Sequence, residues 1–249
     1  MKTFKFDALR RYLLRRLRDT WIKPLDPHYP HSALISRATY SPWYNDQAFM
    51  QVFETIKDST LVDIYRCYEL WTLLGQVEHV SGDAIEVGVW KGGTGGLIVS
   101  QLKRFTEAKK VYLCDTFAGV VKASENDTLY QGGEHADTTK EAVLDLMARL
   151  DVVQQVEILQ GIFPEESASG VQGVQFAFCH IDVDTYLSAK DVFEWIAPRL
   201  SIQGIVVFDD YGTWGCEGVT KLVHEIAQDK RFFLFQNLNG HAVFLKLTE

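Results

Sequence analysis

The chain has 249 residues, of which 47% are hydrophobic, and a formal net charge of −8 at neutral pH. This length and composition suit one globular α/β domain with room for an N-terminal extension. The acidic balance argues against a general nucleic-acid-binding protein, which needs a broad basic face. Four cysteines are scattered without a CxxC pair, and two of them, Cys114 and Cys179, lie inside apolar runs, which favours buried reduced thiols.

The N-terminal segment bears on location. Residues 1–20 lack the uninterrupted apolar core of a signal peptide, and no apolar stretch approaches transmembrane length, which predicts a cytoplasmic protein. Basic residues crowd this segment, and Leu9, Leu13, Leu14 and Leu17 fall at helical spacing. Such a helix can pack on the domain or on a second subunit, which would make the protein a homo-oligomer. It can also contact an anionic membrane peripherally, and both interpretations stay open.

The rest of the chain alternates between two periodicities. Residues 24–45 hold four of the six prolines and predict an ordered arm, and residues 46–79 predict helices with a break near Asp58. Strands are predicted at AIEVGV, KVYLCD, VEILQG, VQFAFCHIDVD and GIVVFDD, with helices after the first, second, fourth and fifth of them. A hairpin of RFFLFQNLN and HAVFLKL follows and turns at Asn239–Gly240. This pattern predicts a Rossmann-like, mainly parallel α/β sheet of seven strands. A terminal antiparallel hairpin is the usual ending of class I methyltransferases.

Acidic residues stand at the predicted strand ends. They are Glu86, Asp115, Asp182, Asp184, Asp209 and Asp210. Ligands of open α/β sheets bind at this edge, and close carboxylates repel one another unless a cation compensates them. Asp182, Asp209 and Asp210 offer only oxygen atoms, which suits Mg²⁺ better than Zn²⁺. The alternative is that Asp184 and Asp210 cap the helices that follow them.

The stretch IEVGVWKGGTGG, residues 85–96, places five glycines after the first strand. It lacks the lysine of a triphosphate-binding P-loop and the GxGxxG pattern of a dinucleotide-binding loop. The remaining candidate ligand is S-adenosylmethionine, whose methionine portion would pass close to the glycine backbone while Asp115 accepts hydrogen bonds from the ribose. The alternative is a tight strand-to-helix turn, for which one glycine would suffice.

These residues carry a family resemblance from about Ala38 to the C-terminus. The matching stretches are ATYSPW, LVDIYRCYELW, IEVGVWKGGTGG, VYLCDTFAGV, GGEHADT, LQGIFPE, HIDVDTYLSAKD and VVFDDYG. In this order they resemble the macrocin O-methyltransferase (TylF/MycF-like) family of class I enzymes. The resemblance implies methylation of a sugar hydroxyl with S-adenosylmethionine and Mg²⁺. Together with the charge and periodicity of the N-terminal part, this predicts two domains. Residues 1–80 would form a basic helix, an aromatic arm and a helical cap, and residues 81–249 would form the methyltransferase domain.

The resemblance implies a role for individual positions as well. Cofactor binding falls to Glu86, Gly88, Val89, Gly93, Thr94, Asp115, Thr116, Phe117, Gly161, Phe163 and Asp182. The metal ligands are Asp182, Asp209 and Asp210. The base is His135 or Asp182. Residues 1–37 match no pattern of the family.

The segment Phe117–Asp137 has no clear secondary structure, and long loops in compact domains are often functional. We expect a lid that carries His135, although His135 could instead cap a helix starting near Asp137. The remaining histidines considered, His224 and His241 among them, have no metal-ligand partner at fitting spacing. A Mg²⁺-dependent phosphoesterase and a non-catalytic, membrane-docked sugar-binding protein stay open as alternative functions.

Overall fold

The computed structural model describes residues 9–10, 12–13, 16, 40–107 and 109–249. The chain divides into two units, Met1–Tyr44 and Asn45–Glu249. In the first unit, the described residues between Leu9 and Arg16 are helical and exposed. The rest of the predicted basic helix and most of the aromatic arm lie outside the described residues. What the basic helix contacts therefore stays a prediction.

Seven strands form one sheet in the order β3-β2-β1-β4-β5-β7-β6. The strands are β1 Asp83–Val87, β2 Val111–Asp115, β3 Val156–Gln160, β4 Phe176–Ile181, β5 Leu200–Phe208, β6 Phe232–Gln236 and β7 Ala242–Lys246. The first five are parallel, and β7 pairs antiparallel with both β5 and β6. The predicted class I sheet with a C-terminal hairpin is confirmed.

Six helices longer than one turn accompany the sheet in the described ranges. They are α1 Gln47–Ile56, α2 Ile64–Gln76, α3 Gly93–Leu102, α4 Lys140–Arg149, α5 Tyr186–Ile196 and α6 Glu217–Ile226. Side-chain caps explain several starts, because Asp46 accepts from the Phe49 amide at 3.0 Å and Asp63 accepts from the Tyr65 amide at 2.8 Å. The predicted break near Asp58 is confirmed between α1 and α2. Both helices belong to the same unit as the sheet. No helix among the described residues is long and apolar enough to cross a membrane.

The centre of the sheet is buried on both faces, as expected for parallel strands covered by helices. All six residues of β4 and the last four of β1 are buried. Two of them, Glu86 on β1 and His180 on β4, are polar and fully inaccessible to solvent. Buried polar groups need hydrogen-bonding partners, and these two residues lie next to each other near the carboxyl edge of the sheet.

Candidate functional site

A cavity of about 260 Å³ lies at the carboxyl ends of the parallel strands. His135 lines this cavity, and so do most of the residues predicted for the cofactor and the metal. These residues are Gly88, Val89, Thr94, Asp115, Thr116, Gly161, Phe163, Asp182, Asp209 and Asp210. Glu86, Gly93 and Phe117 are not part of its wall. The structure thus brings most of the predicted residues together around one cavity, while their roles stay predictions.

The glycine loop after β1 is packed tightly against the protein itself. A Cβ atom on Gly88, whose φ is +88°, would lie 1.7 Å from the carbonyl oxygen of Asp182. A Cβ on Gly93 would lie 2.6 Å from the carbonyl oxygen of Ser59, and one on Gly95 would lie 2.8 Å from the Glu86 carboxylate. The interpretation that a cofactor explains the glycines is therefore incomplete, because close approach of other protein atoms already requires them.

Asp115, at the end of β2, fixes the shape of this loop. Its Oδ2 accepts hydrogen bonds from the amides of Val89 at 2.7 Å and Trp90 at 2.9 Å, and its Oδ1 accepts from the Phe117 amide at 2.7 Å. A carboxylate oxygen has two acceptor directions, so Oδ1 keeps one for a ligand. The side chain predicted to bind a ribose therefore also holds the loop in place.

The three acids predicted to bind a metal lie together, with carboxylate oxygens within 4.8 Å of one another. Burial raises the pKa of Asp182 well above its ordinary value, and the charges of Asp209 and Asp210 raise it further. Burial and neighbouring acids, Asp184 first, raise the pKa of Asp210 in the same way. An all-oxygen donor set in which ionised groups repel fits a hard divalent cation such as Mg²⁺.

The helix-capping alternative for the acids at these strand ends is wrong. The N-cap of α5 is Thr185, and the N-cap of α6 is Cys216, several residues beyond Asp210. Instead, Asp210 Oδ2 accepts a hydrogen bond from the Asp184 amide at 2.9 Å. Asp184 itself has a φ of +64°. This hydrogen bond holds Asp184 beside Asp210 in the wall of the cavity.

Among the three acids, Asp209 has the most hydrogen-bonding and cationic partners. His241 Nε2 lies 2.9 Å from its Oδ1, His180 Nε2 lies 3.5 Å from the same oxygen, and the Arg66 guanidinium contacts Oδ2. Burial alone would raise the pKa of Asp209, but the two imidazoles and the Arg66 charge hold it below its usual range. The pKa of Asp209 is thus shifted in the opposite direction to the pKa values of Asp182 and Asp210.

His241 is the clearest residue that sequence reasoning missed. We expected it to have no suitable partner, and that expectation is wrong, because its side chain is fully buried against Asp209. Antiparallel pairing of β5 with β7 sets Phe208 opposite Ala242. The residue after Phe208, Asp209, therefore lies beside the residue before Ala242, His241. The register of the hairpin against β5 was the signal that could have found it. Arg66 was missed for a different reason, since it reaches the site from a helix far away in the chain.

Glu86 and His180 are direct neighbours in the register of β1 and β4. His180 Nδ1 lies 2.9 Å from Glu86 Oε1. Burial works against a charge on His180, but Asp209 and Glu86 raise the pKa of the imidazole to about 10. Glu86 lies outside the cavity wall and contacts His180, which in turn lies beside Asp209.

The prediction that Phe117–Asp137 lacks regular secondary structure is confirmed, because residues 116–139 contain neither helix nor strand. Its role as a lid stays a prediction. His135 is half-buried in it, and the centroid of its ring lies 6.1 Å from that of Trp90 and 6.0 Å from that of Tyr130. It does not cap α4, whose N-cap is Thr139. Trp90 and His135 both have positive φ angles, and such backbone strain often accompanies functional sites.

Comparisons with known proteins identify the family and the fold of this chain. A family model described as Macrocin-O-methyltransferase (TylF) matches residues 59–237. A tetracenomycin-C 4'-O-methyltransferase from Streptomyces olivaceus, which acts on a rhamnosyl derivative by name, is 29% identical over 56% of this chain and 56% of its own length. The mycinamicin III 3''-O-methyltransferase of Micromonospora griseorubida is 30% identical over 59% of this chain and 61% of its own.

The matches to these curated relatives thus span less than two thirds of their length. Among solved structures, the O-methyltransferase NovP superposes with a TM-score of 0.66 at 23% identity, over 76% of this chain and 83% of its own. The calicheamicin methyltransferase CalS11 superposes with a TM-score of 0.61 at 20% identity, over 88% of this chain and all of its own. At these identities the structures show a shared fold.

Proposed function

Because the chain belongs to the macrocin O-methyltransferase (TylF) family, we propose that it methylates a hydroxyl of a sugar or glycosylated natural product, using S-adenosylmethionine and Mg²⁺. One observation carries this proposal: a single cavity joins the glycine loop and Asp115 to the three acids Asp182, Asp209 and Asp210. A cofactor edge and a cation-binding edge within one cavity are what such a transfer requires. The rhamnosyl substrate in the name of one relative supports a sugar as the acceptor.

The cofactor would lie along the glycine loop. When bound, S-adenosylmethionine supplies the electrophilic methyl group together with its leaving group. Asp115 keeps one acceptor direction on Oδ1, which suits a ribose hydroxyl. Phe163 is buried and packs edge-on against Trp195 at 5.0 Å between ring centroids, which makes a rigid apolar wall suited to an adenine ring.

The acceptor would lie between the acids and the lid. When bound, Mg²⁺ supplies positive charge that makes a nearby hydroxyl more acidic. Asp182, Asp209 and Asp210 would hold the ion. His135 at an imidazole nitrogen, or Asp182 at a carboxylate oxygen, would accept the proton of the acceptor hydroxyl. The lid residues around His135 would exclude water and hold the acceptor oxygen in line with the methyl group.

The first test is calorimetric titration of S-adenosylmethionine into the purified protein, once with Mg²⁺ and once with a chelator. Binding with a micromolar dissociation constant in both conditions is expected, since the glycine loop and Asp115 are separate from the cation ligands. A screen of sugar and glycoside acceptors for methyl transfer would follow. Absence of binding in both conditions would contradict the proposal and favour a phosphoesterase or a binding protein.

A further inference from the structure

We propose that His180, Asp209 and His241 form a second metal site, which binds a first-row transition-metal ion such as Zn²⁺. We call it the nitrogen-rich site, to distinguish it from the acidic site of Asp182, Asp209 and Asp210. The two sites share Asp209, which presents Oδ1 to the histidines. The inference does not depend on methyl transfer, because it rests on the contacts of these buried side chains alone.

The ligand atoms of the nitrogen-rich site already converge. His241 Nε2 lies 2.9 Å and His180 Nε2 lies 3.5 Å from Asp209 Oδ1, and one ligand atom from each residue falls within 4.8 Å of the others. Zinc binds histidine nitrogen and carboxylate oxygen at about 2.0–2.2 Å, so adjacent ligand atoms around one ion stand roughly 3–3.5 Å apart. His180 Nε2 is also buried without a hydrogen-bond partner. Coordination would satisfy this atom.

Outer carboxylates orient both imidazoles for this purpose. Glu86 Oε1 lies 2.9 Å from His180 Nδ1, and Glu69 Oε2 lies 2.7 Å from His241 Nδ1. Each Nδ1 therefore faces a carboxylate oxygen, and each Nε2 faces Asp209 Oδ1. A bound ion would displace the proton that His241 Nε2 shares with this oxygen in the metal-free protein. Metal-binding histidines are held by carboxylates in this manner. The Asn237 amide fixes Glu69 in turn, with bonds of 2.9 and 3.0 Å to its two oxygens.

The type of ligand atom selects the kind of ion. Mg²⁺ prefers oxygen ligands, whereas imidazole nitrogen suits zinc, iron, nickel and copper. Two histidines and one carboxylate therefore favour a transition metal over Mg²⁺.

The test is zinc K-edge X-ray absorption on the full-length protein loaded with one equivalent of Zn²⁺, with excess Mg²⁺ to occupy the acidic site. The expected spectrum has nitrogen and oxygen neighbours near about 2.0 Å and outer-shell scattering from two imidazoles. His241→Gln should remove one imidazole and weaken zinc binding at least tenfold by calorimetry. Asp210→Asn, which alters only the acidic site, should leave the zinc spectrum unchanged.

Two further measurements make the outcome decisive. The double variant His28→Gln/His31→Gln should keep both imidazoles in the spectrum, and loss of them there would place the zinc on the N-terminal segment and overturn the proposal. A wild-type spectrum without imidazole scattering, or no zinc binding, would also overturn it, even if His241→Gln fails to fold. Binding of S-adenosylmethionine and methyl transfer are measured separately, so failure of the proposed function would be recognised independently.

Discussion

At the residue scale, the proposed reaction depends on which group accepts the proton of the acceptor hydroxyl. His135 and Asp182 both line the cavity. Replacing His135 by Ala should lower kcat by roughly 10²–10⁴-fold, the usual contribution of a general base. The affinity for S-adenosylmethionine should stay nearly constant, because Asp115 and the glycine loop are unchanged. Methyl-transfer kinetics and calorimetry measure the two effects. His79→Ala, an exposed histidine before β1, is the matched control; equal turnover in both variants would leave Asp182 as the base.

Two acids of the cavity should respond oppositely to substitution when no metal is present. Asp209→Ala removes the partner of Arg66, His180 and His241, and unpaired buried charges typically cost about 3–5 kcal/mol. Asp182→Asn instead removes repulsion among carboxylates and should stabilise the protein by roughly 0.5–2 kcal/mol, as relief of functional strain does. Urea unfolding in a chelator measures both changes.

Both variants should lose Mg²⁺-dependent activity, and full activity of Asp209→Ala in a chelator would contradict the metal proposal.

The residues that sequence reasoning found and missed differ in one physical respect. Asp115, Asp182 and Asp209 were predictable because each directly follows an apolar run, and parallel strands end at a common edge. Arg66 and His241 reach the same place from α2 and from the loop before β7. Their positions depend on packing and on strand register, which a single sequence does not reveal.

At the element scale, the loop from β1 to α3 makes a distinct prediction about glycine. Gly88→Ala would force a Cβ atom to 1.7 Å from the carbonyl oxygen of Asp182 at a φ of +88°, so the backbone must shift. We expect a loss of more than about 3 kcal/mol in the free energy of unfolding. Gly133→Ala is the control, since its φ is +91° with no atom within 4 Å of the new Cβ. It should cost only about 1–2 kcal/mol.

Urea unfolding of the two glycine variants decides between the explanations of the loop. A small effect of Gly88→Ala on stability, combined with loss of S-adenosylmethionine binding, would show that the ligand requires this glycine and that the stability of the fold does not.

The strand and helix pattern was predictable from the sequence, because its periodicity is local. The reason for each glycine was not, because Ser59, Leu113 and Asp182 come from distant parts of the chain.

At the scale of the whole molecule, the acidic cavity should make stability depend on pH and on cations together. Burial holds the pKa values of Asp182 and Asp210 above their ordinary values. As the pH rises above that ordinary range, the unfolded chain has released these protons while the folded protein still binds them. The free energy of unfolding therefore falls with rising pH through the raised folded-state pKa values. The raised pKa of His180 acts in the same direction, from about pH 6.5 to about 10.

A divalent cation should oppose this loss, because it binds the ionised carboxylates of the folded protein and not the unfolded chain. We therefore expect Mg²⁺ to raise Tm more at about pH 9 than at about pH 6, measured as the difference from a chelator-treated sample at each pH. Asp182→Asn should reduce this difference, since one repelling carboxylate and one metal ligand are gone. Glu157 is a partly exposed residue of β3 outside the cavity wall, so Glu157→Gln should leave the Mg²⁺-dependent difference in Tm unchanged. An equal Mg²⁺ effect at both pH values would contradict the proposed link between the raised pKa values of these acids and cation binding.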